Sequence, residues 1–413
     1  MTTAGGPGPV NAPTAMDGSS SRRRKERRAA SVACGAHALH DGYTDLIYIM
    51  LPLWQRDFGL GYAELGMLRG LYAGTMAGFQ VPASYLAERF GPAMVLALGT
   101  ALAGFGYCLV GMSAGLGLLL VGLFVSGLGA STQHPLASTL MARAYEGPRS
   151  LQAIGTYNFA GDLGKMTLPA TASLLLVGME WRPTLGLLGA CGLLAAIAIF
   201  YLTPRDVATP AVEGTSEVNP ADRIRVAAPR YAFPLLMTIG VIDSATRMGF
   251  LLFLPFVLTA KGASLPAIGL ALTLVFAGGA AGKLVCAAIA SRIGVLPTVW
   301  LTEGLTALGI VALLPLSLEA AFVLLPLIGV ALNGTSSVLY GSVPALVTPE
   351  RRAHAFSVFY TGTIGSGATA PALYGFIGDA LGVPNALLVV AGIVLVTLPL
   401  SLALKPALAL RFG

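Results

Sequence analysis

The chain has 413 residues, of which 55% are apolar and only 11% are charged, and its mean hydropathy is +0.77. Because soluble domains carry about 25% charged residues, this composition excludes most classes of water-soluble protein. Apolar runs long enough to cross a bilayer recur along nearly the whole chain. Lipid offers backbone groups no hydrogen-bond partners, so such runs must be helical. The sequence therefore predicts an all-α membrane protein with many spans.

The net charge of +6 does not indicate a nucleic-acid partner, because the basic residues are spread over short loops and one tail rather than over one soluble face. The four cysteines lie in apolar runs without the CxxC or CxxH spacing of a zinc site, and their pattern indicates no disulfide framework. We expect no metal and no cofactor, and we expect a monomer in the lipid bilayer.

In chain order, residues 1–29 are rich in Gly, Pro and Ser and end in a polybasic run, which predicts a disordered basic cytoplasmic tail. Twelve apolar runs follow, with one long polar segment between the sixth and the seventh. We expect an N-terminal six-helix bundle over 30–203, a cytoplasmic linker over 204–230, a C-terminal six-helix bundle over 231–405 and a cytoplasmic tail over 406–413. The predicted spans are 30–56, 62–88, 94–112, 115–143, 149–178, 183–203, 231–260, 264–291, 295–316, 319–346, 352–377 and 383–405.

The basic residues predict the orientation, since Lys and Arg favour the cytoplasmic side of a membrane protein. With both termini inside, 18 of the 25 basic residues fall in cytoplasmic segments. Three fall outside (Arg56, Arg182, Lys261) and four lie within spans (Arg69, Lys165, Arg247, Lys283). We therefore expect a multi-pass protein of the inner (plasma) membrane with both termini cytoplasmic.

The two halves share a sequence register. Asp41 and Asp45 in the first span precede Asp243 and Arg247 in the seventh by 202 positions. Further matches at offsets of 202 or 203 pair Arg89 with Arg292, Gly91 with Gly294, Arg149 with Arg351 and Pro169 with Pro371. A nearly constant offset along this much of the chain predicts two repeats of six spans each.

Twelve spans in two repeats with a charged linker resemble the major facilitator superfamily of secondary transporters. The loop after the second span, Ser84 to Ala93, keeps the acid, the Arg and the Gly of that family's G-x-L-A-D-R-x-G-R-R motif as Glu88, Arg89 and Gly91. The fifth span resembles the family's antiporter motif at Gly155, Gly164 and Pro169. The resemblance implies a cavity lined by the first, fourth, seventh and tenth helices, and a gating role for Glu88 and Arg89.

Within that superfamily, residues 36–41 (AHALHD), 51–53 (LPL) and 129–135 (GASTQHP) are similar to the fosmidomycin resistance protein group. The similarity is best over residues 36–170. It implies an exporter of small polar or drug-like compounds that is driven by protons moving inward.

Ionisable residues deep in a span cost at least about 2.5 to 3.5 kcal/mol each, so they need a partner, a wet cavity or a function. Asp41 and Asp45 lie one turn apart on one face of the first span, and His37 lies one turn before Asp41. Repulsion between the carboxylates and their desolvation favour proton uptake by one of them. We expect Asp41 and Asp45 to couple transport to protons, with His37 as a candidate relay. Alternatively, these acids pair with Lys165 or Arg247 and only hold helices together.

Two further charged pairs are candidate substrate contacts. Asp243 and Arg247 have opposite signs, lie one turn apart and occupy the repeat positions of the two acids of the first span. Asp162 and Lys165 are spaced i and i+3 and can neutralise each other, unless an anionic substrate displaces the carboxylate. Lys283 has no acid within one turn, so its partner must come from another helix or from a ligand, and we assign it no role.

The proline in the fourth span marks another candidate region. His134 precedes Pro135, whose ring removes an intrahelical hydrogen bond and kinks the helix. The polar side chains near this kink and in the fifth span are candidate substrate contacts, with hydrogen bonding between helices as the alternative reading; they are Gln133, His134, Tyr157 and Asn158. Pro135 and Pro169 are candidate gating positions.

The sequence therefore predicts a secondary active transporter, not an enzyme, that exports a small polar or drug-like molecule in exchange for protons by alternating access. The alternative is a symporter that takes up an organic anion with protons, because three cations lie at depth. A membrane enzyme using His37, His40, Asp41 and His134 as metal ligands is disfavoured, because no metal-type spacing accompanies these residues.

Overall fold

The structure of the chain is a computed structural model that describes residues 15–145, 148–204, 229–348 and 351–412. Within these ranges the regular secondary structure is entirely helical, as the sequence predicts. The fifteen described helices are α1 (Ala15–Phe58), α2 (Tyr62–Gly78), α3 (Gln80–Phe90), α4 (Pro92–Gly111), α5 (Leu116–Ala130), α6 (Gln133–Ala144), α7 (Pro148–Gly178), α8 (Trp181–Leu202), α9 (Ala232–Ala260), α10 (Leu265–Ile293), α11 (Val295–Leu313), α12 (Leu318–Leu346), α13 (Arg352–Leu381), α14 (Val383–Leu395) and α15 (Thr397–Phe412).

Twelve spans account for these fifteen helices, because three predicted spans are each broken into two helices. The second span breaks at Phe79, the fourth at Ser131 and Thr132, and the twelfth at Val396. Eight of the spans are long and apolar enough to cross a membrane by length and hydropathy. The first, second, fifth and eleventh spans fall short of that measure, and three of these four carry charged residues in their interiors.

Two helix bounds differ from the predicted segments. Helix α1 begins at Ala15, so residues 15–29 of the predicted tail are helical, and α15 runs to Phe412 through the predicted C-terminal tail. Residues 1–14 and most of the predicted linker, 205–228, lie outside the described residues.

Packing follows the two repeats. In the first half α1 packs on α7 and α4 on α8, and in the second half the equivalent spans do the same, α9 on α13 and α11 on α14. The halves meet along α2 with α13 and along α7 with α10, which are the second and eleventh spans and the fifth and eighth spans. In the repeat the second span is equivalent to the eighth and the fifth to the eleventh, so these two contacts between the halves are equivalent to each other. Gly91 and Gly294, which are equivalent in that register, both end helices with a positive φ (87° and 90°) that only glycine adopts readily.

The apolar core shows which side of the bundle is closed. We call the side where α1 begins the termini side, and the opposite side, where α1 ends, the distal side. One apolar cluster joins both halves on the distal side and includes Trp54, Leu185, Phe253 and Leu313. On the termini side, each half has a separate cluster. The apolar packing that joins the halves therefore lies on the distal side, and we infer that the halves part toward the termini side and leave a cleft there.

A polar contact adds to the distal closure. The backbone N–H groups of Tyr62 and Ala63, at the start of α2, donate to the carboxylate of Asp379 at the end of α13 (2.7 and 2.9 Å). An acid at a helix N-terminus is favourable because that end carries free N–H groups and a partial positive charge. The contact ties the second span of one half to the eleventh span of the other.

Candidate functional site

The first span brings its polar face into the middle of the bundle. His37, His40, Asp41 and Asp45 are all buried there, although the surrounding helix is apolar. Their spacing of three or four residues places them along one side of α1, where they approach α7 and the start of α6. The structure thus assembles the predicted coupling residues around one site.

Asp41 is the centre of this cluster. Its Oδ2 lies 3.3 Å from Lys165 Nζ on α7, and its Oδ1 lies 3.4 Å from His37 Nε2 and 3.9 Å from His40 Nε2. The Lys165 side chain remains 30% exposed, so the ion pair reaches the cleft. Lys165 therefore pairs with Asp41 of the first span, a partner that the sequence also allowed, whereas Asp162 pairs with Lys283.

Glycines on α7 allow this close approach. A Cβ on Gly164 would lie 1.8 Å from the carbonyl oxygen of Ala38, and a Cβ on Gly161 would lie 2.6 Å from Asp41 Oδ2 and 2.7 Å from His37 Cε1. Any side chain at these positions would push α1 and α7 apart. Glycine at these two positions thus allows the fifth span to present its lysine to the acid of the first.

His37 links the cluster to a second group on α7. Its ring stacks on Tyr157 with 3.9 Å between centroids, and its Nδ1 lies 2.9 Å from the Tyr157 carbonyl oxygen. A carbonyl only accepts, so Nδ1 must carry the proton, and a neutral His37 would then point the lone pair of Nε2 at Asp41. The contact between His37 and Asp41 is favourable only when one of the two holds an additional proton.

His134 joins the cluster from the fourth span. Its Nε2 lies 3.3 Å from His40 Nε2. The helix break at Ser131 and Thr132 falls just before His134 and Pro135, where the proline ring cannot continue the hydrogen-bond ladder. His134 follows directly after this interruption and reaches the first span through His40.

Asp45 lies one turn further toward the distal side. It is buried, and it makes no ion pair or hydrogen bond with any residue in the described ranges. The charged groups that act on it are Lys165, Arg69, Asp41 and Arg247, which come from both halves. Asp45 thus lies between the halves, and no described side chain makes a contact that neutralises its carboxylate.

The equivalent region of the second half is neutralised differently. Ser336 on α12 donates to Asp243 Oδ2 (2.7 Å) and accepts from Arg247 Nη1 (3.0 Å), and Arg247 also donates to Asn333 Oδ1 (3.4 Å). Ser336 therefore bridges Asp243 and Arg247, which lie on one face of α9 because they are four residues apart. Arg247 Nε is buried and has no hydrogen-bond partner among the described residues.

Asp162 makes the ion pair that crosses between the halves. Both of its carboxylate oxygens lie 2.7 Å from Lys283 Nζ on α10, and the Lys283 side chain is 39% exposed. The expectation that the partner of Lys283 comes from another helix fits this contact. The fifth span thus carries two ionic contacts, one to the first span through Lys165 and one to the eighth span through Asp162.

Other predicted site residues lie away from the cluster. Gln133 is buried and donates to Thr100 Oγ1 (2.7 Å) on α4, so it joins two helices of one half. Asn158 is exposed next to Tyr157, and Pro169 lies inside α7 without breaking it. Glu88 and Arg89 are exposed near the end of α3, where Arg89 lies over the Phe90 ring and makes no ion pair with a described residue. Their gating role stays a prediction.

Glu303 was not among the sequence candidates. It lies inside α11, is 1% exposed, and its Oε1 has no hydrogen-bond partner among the described residues. The sequence does contain a signal for this residue, because an acid eight positions inside an apolar run is a candidate functional residue. Its electrostatic neighbours are Asp243 and Arg247, so it belongs to the polar network of the second half.

Comparison with known sequences agrees with this architecture. A sequence model of the Major Facilitator Superfamily matches residues 33–241 and again 236–410. The fosmidomycin resistance protein of Escherichia coli (strain K12) is 23% identical over 350 residues, which are 83% of this chain and 84% of that protein. The probable sulfoacetate transporter SauU of Cupriavidus necator is 28% identical over 150 residues, which are 36% of this chain and only 34% of that protein.

Comparison with solved structures supports the fold. A bacterial homologue of the human lysosomal transporter Spinster, in an inward-facing and occupied conformation, superposes with a TM-score of 0.77 over 94% of this chain and 99% of that chain. At 16% identity this likeness establishes the shared fold and nothing about the substrate.

Proposed function

Because the chain belongs to the Major Facilitator Superfamily and is therefore a membrane transporter of small molecules, we propose that it exports a small polar or drug-like molecule in exchange for protons. In this proposal the two halves rock about the site between them, which faces one side of the membrane at a time. The proposed location is the inner (plasma) membrane with both termini in the cytoplasm, since the basic loops and tails favour that orientation. The cleft then faces the cytoplasm, where an exporter binds its cargo.

The observation that carries the proposal is the pair of buried acids on one face of the first span. Asp41 touches Lys165 and two histidines, whereas Asp45 has charges from both halves around it and no contact partner in the described ranges. Two carboxylates at this spacing in a poorly hydrated site cannot both be ionised without cost. A proton or a bound cationic or hydrogen-donating group relieves that cost, so proton and cargo compete for the same acids.

This competition gives antiport. A protonated acid pair no longer attracts the cargo, so the cargo leaves on the outer side as protons bind. Deprotonation on the cytoplasmic side restores the carboxylates and the affinity for cargo. A ligand shifts a two-state equilibrium only by its difference in affinity for the two states, so the proton gradient drives export only if the cargo and the protons cannot occupy the site together.

A second candidate is uptake of an organic anion with protons. The buried Arg247 Nε without a partner among the described residues favours it, as does the partial similarity to a probable sulfoacetate transporter. In that case the anion would take Lys165 from Asp41, and the released carboxylate would take up a proton. Anion and proton would then bind together and move in the same direction.

The direction of proton movement distinguishes the two candidates. In energised everted vesicles with an acidic lumen, fosmidomycin should dequench a pH-sensitive dye, because cargo enters as protons leave. In de-energised right-side-out vesicles, added sulfoacetate should alkalinise the medium only if symport operates. Alkalinisation by sulfoacetate without any dequenching by fosmidomycin would overturn the export proposal in favour of symport.

The role of Asp41 is tested by replacing it with Asn. Asp41→Asn should abolish accumulation driven by a pH gradient while exchange of labelled cargo without a gradient continues. Glu319→Gln, at a fully exposed acid near the start of α12, is the matched control and should transport normally. Loss of both gradient-driven transport and exchange, or of neither, would remove Asp41 from the coupling role.

A further inference from the structure

Two histidines and an acid of the site converge on one point. One ligand atom from each of His40, Asp41 and His134 lies within 4.8 Å of the other two. These residues lack metal-type spacing in the sequence, because His134 follows His40 by 94 positions and comes from another span. His134 lies just after the interruption of the fourth span at Ser131 and Thr132.

The spacing of the two imidazoles matches that of metal ligands. The Nε2 atoms of His40 and His134 are 3.3 Å apart. Two nitrogens bound to one zinc ion at 2.0–2.1 Å with a tetrahedral angle are separated by about 3.4 Å. Asp41 Oδ1 lies 3.9 Å from His40 Nε2, and the three ligand atoms all lie within 4.8 Å of one another. Side-chain shifts of about 0.5 to 1.4 Å would therefore bring the three-ligand set to zinc distances.

We propose that His40, His134 and Asp41 bind a divalent first-row transition-metal ion of the Zn²⁺ type. Two imidazoles with one carboxylate suit zinc, cobalt or nickel, whereas magnesium and calcium prefer oxygen ligands alone. Three protein ligands leave a fourth position open to water or to a donor atom of a bound molecule. His134 is partly exposed, which gives an ion access to the site.

The neighbouring cation, Lys165, leaves one carboxylate oxygen of Asp41 available to the ion. Lys165 contacts Oδ2 of Asp41, so the metal would use Oδ1 and the carboxylate would bridge two cations. His37 lies 3.4 Å from the same Oδ1, and its Nδ1 contact with the Tyr157 carbonyl fixes its ring. A cation bound at Oδ1 would therefore face the lone pair of a neutral His37 Nε2. The site can thus satisfy this contact with a metal ion in place of a proton.

Metal binding to the purified full-length chain tests the proposal, and the measurement does not depend on transport. With an affinity tag that contains no histidine, equilibrium dialysis against Zn²⁺ should show about one ion per chain. His40→Asn and His134→Asn should each weaken binding by about tenfold or more. His354→Asn is the matched control, because His354 is the one histidine of the four that lies outside this cluster, at the start of α13, and this variant should bind as the unaltered chain does.

A second readout separates the site from incidental binding. Co²⁺ should give the visible absorption of a tetrahedral nitrogen and oxygen site, and this band should disappear in His134→Asn while the thermal unfolding curve of the variant stays unchanged. Absence of stoichiometric Zn²⁺ binding, or equal loss in all three histidine variants, would overturn the proposal. Either result leaves the export proposal standing, since the latter is judged by proton movement and not by metal content.

Discussion

Replacing Gly164 by Ala tests how the packing of the first and fifth spans builds the site. The added Cβ would lie 1.8 Å from the carbonyl oxygen of Ala38, which is backbone and cannot rotate away. The two helices must therefore separate by about 1.2 Å to reach the shortest tolerable contact. Overpacking of this kind typically costs about 1–3 kcal/mol.

The same displacement acts on the coupling acid. It would lengthen the contact between Lys165 Nζ and Asp41 Oδ2 from 3.3 Å to about 4.5 Å, and that between His37 Nδ1 and the Tyr157 carbonyl from 2.9 Å to about 4.1 Å. Both contacts would be lost. We therefore expect Gly164→Ala to lower the unfolding temperature and to impair proton-driven transport.

The assay is thermal unfolding of the purified protein in detergent, with gradient-driven transport measured on the same preparation. Gly155→Ala is the matched control, because this glycine lies on the same helix and a Cβ there would meet no atom within 4 Å. If Gly164→Ala unfolds and transports like Gly155→Ala, close packing of the first and fifth spans does not position the site.

Three further predictions concern ionic and acidic groups. Asp162→Lys and Lys283→Asp should each destabilise the contact between the halves, and the double variant should recover about 1 kcal/mol of coupling energy in a double-mutant cycle; zero coupling would mean that the pair is incidental. Just beyond the first predicted span, the Trp181 indole N–H donates to Asp57 (2.7 Å) and holds the pKa of this acid below its usual value. The resulting stabilisation is present above the unfolded pKa of about 3.9 and is lost as the pH falls through the folded value, so Trp181→Phe should reduce the loss of stability on acidification; an unchanged acid profile would contradict this. Glu303→Gln removes a buried carboxylate without changing its shape, so the unfolding temperature should stay the same or rise, and a clear fall would mean that the charge of Glu303 is stabilised by its surroundings.

The sequence predicted what depends on local pattern and on the repeat. Apolar run length indicated the spans, the proline at position 135 indicated the irregularity in the fourth span, and the offset of 202 or 203 residues correctly placed Gly91 and Gly294 at equivalent helix ends. These features are encoded within one helix or in the comparison of two segments.

The sequence left open which charges meet, because it allowed both Asp162 and the acids of the first span as partners of Lys165. The i and i+3 spacing of Asp162 and Lys165 allows an ion pair within one helix. In the structure, however, Asp162 pairs with Lys283 on α10, and Lys165 pairs with Asp41 on α1. Such partners depend on how helices rotate and approach, which glycine contacts between spans set and a single sequence does not display. The approach of His134 to His40 depends on the same packing between helices.

Control of the cleft by protonation of Asp41 and Asp45 can be measured without an identified cargo. Tyr340 lies one turn beyond Ser336 on α12, on the side toward the termini, and is exposed. In a chain without other cysteines, alkylation of Tyr340→Cys by a membrane-impermeant reagent reports how often the cleft is open to the termini side.

We expect the alkylation rate of this cysteine to depend on pH beyond the intrinsic titration of the thiol, because protonating the acids shifts the balance between the two conformations. Adding Asp41→Asn and Asp45→Asn to the same chain should remove this extra dependence and leave only the thiol titration. An identical pH profile with and without the two acids would contradict the claim that they couple protons to the movement of the halves.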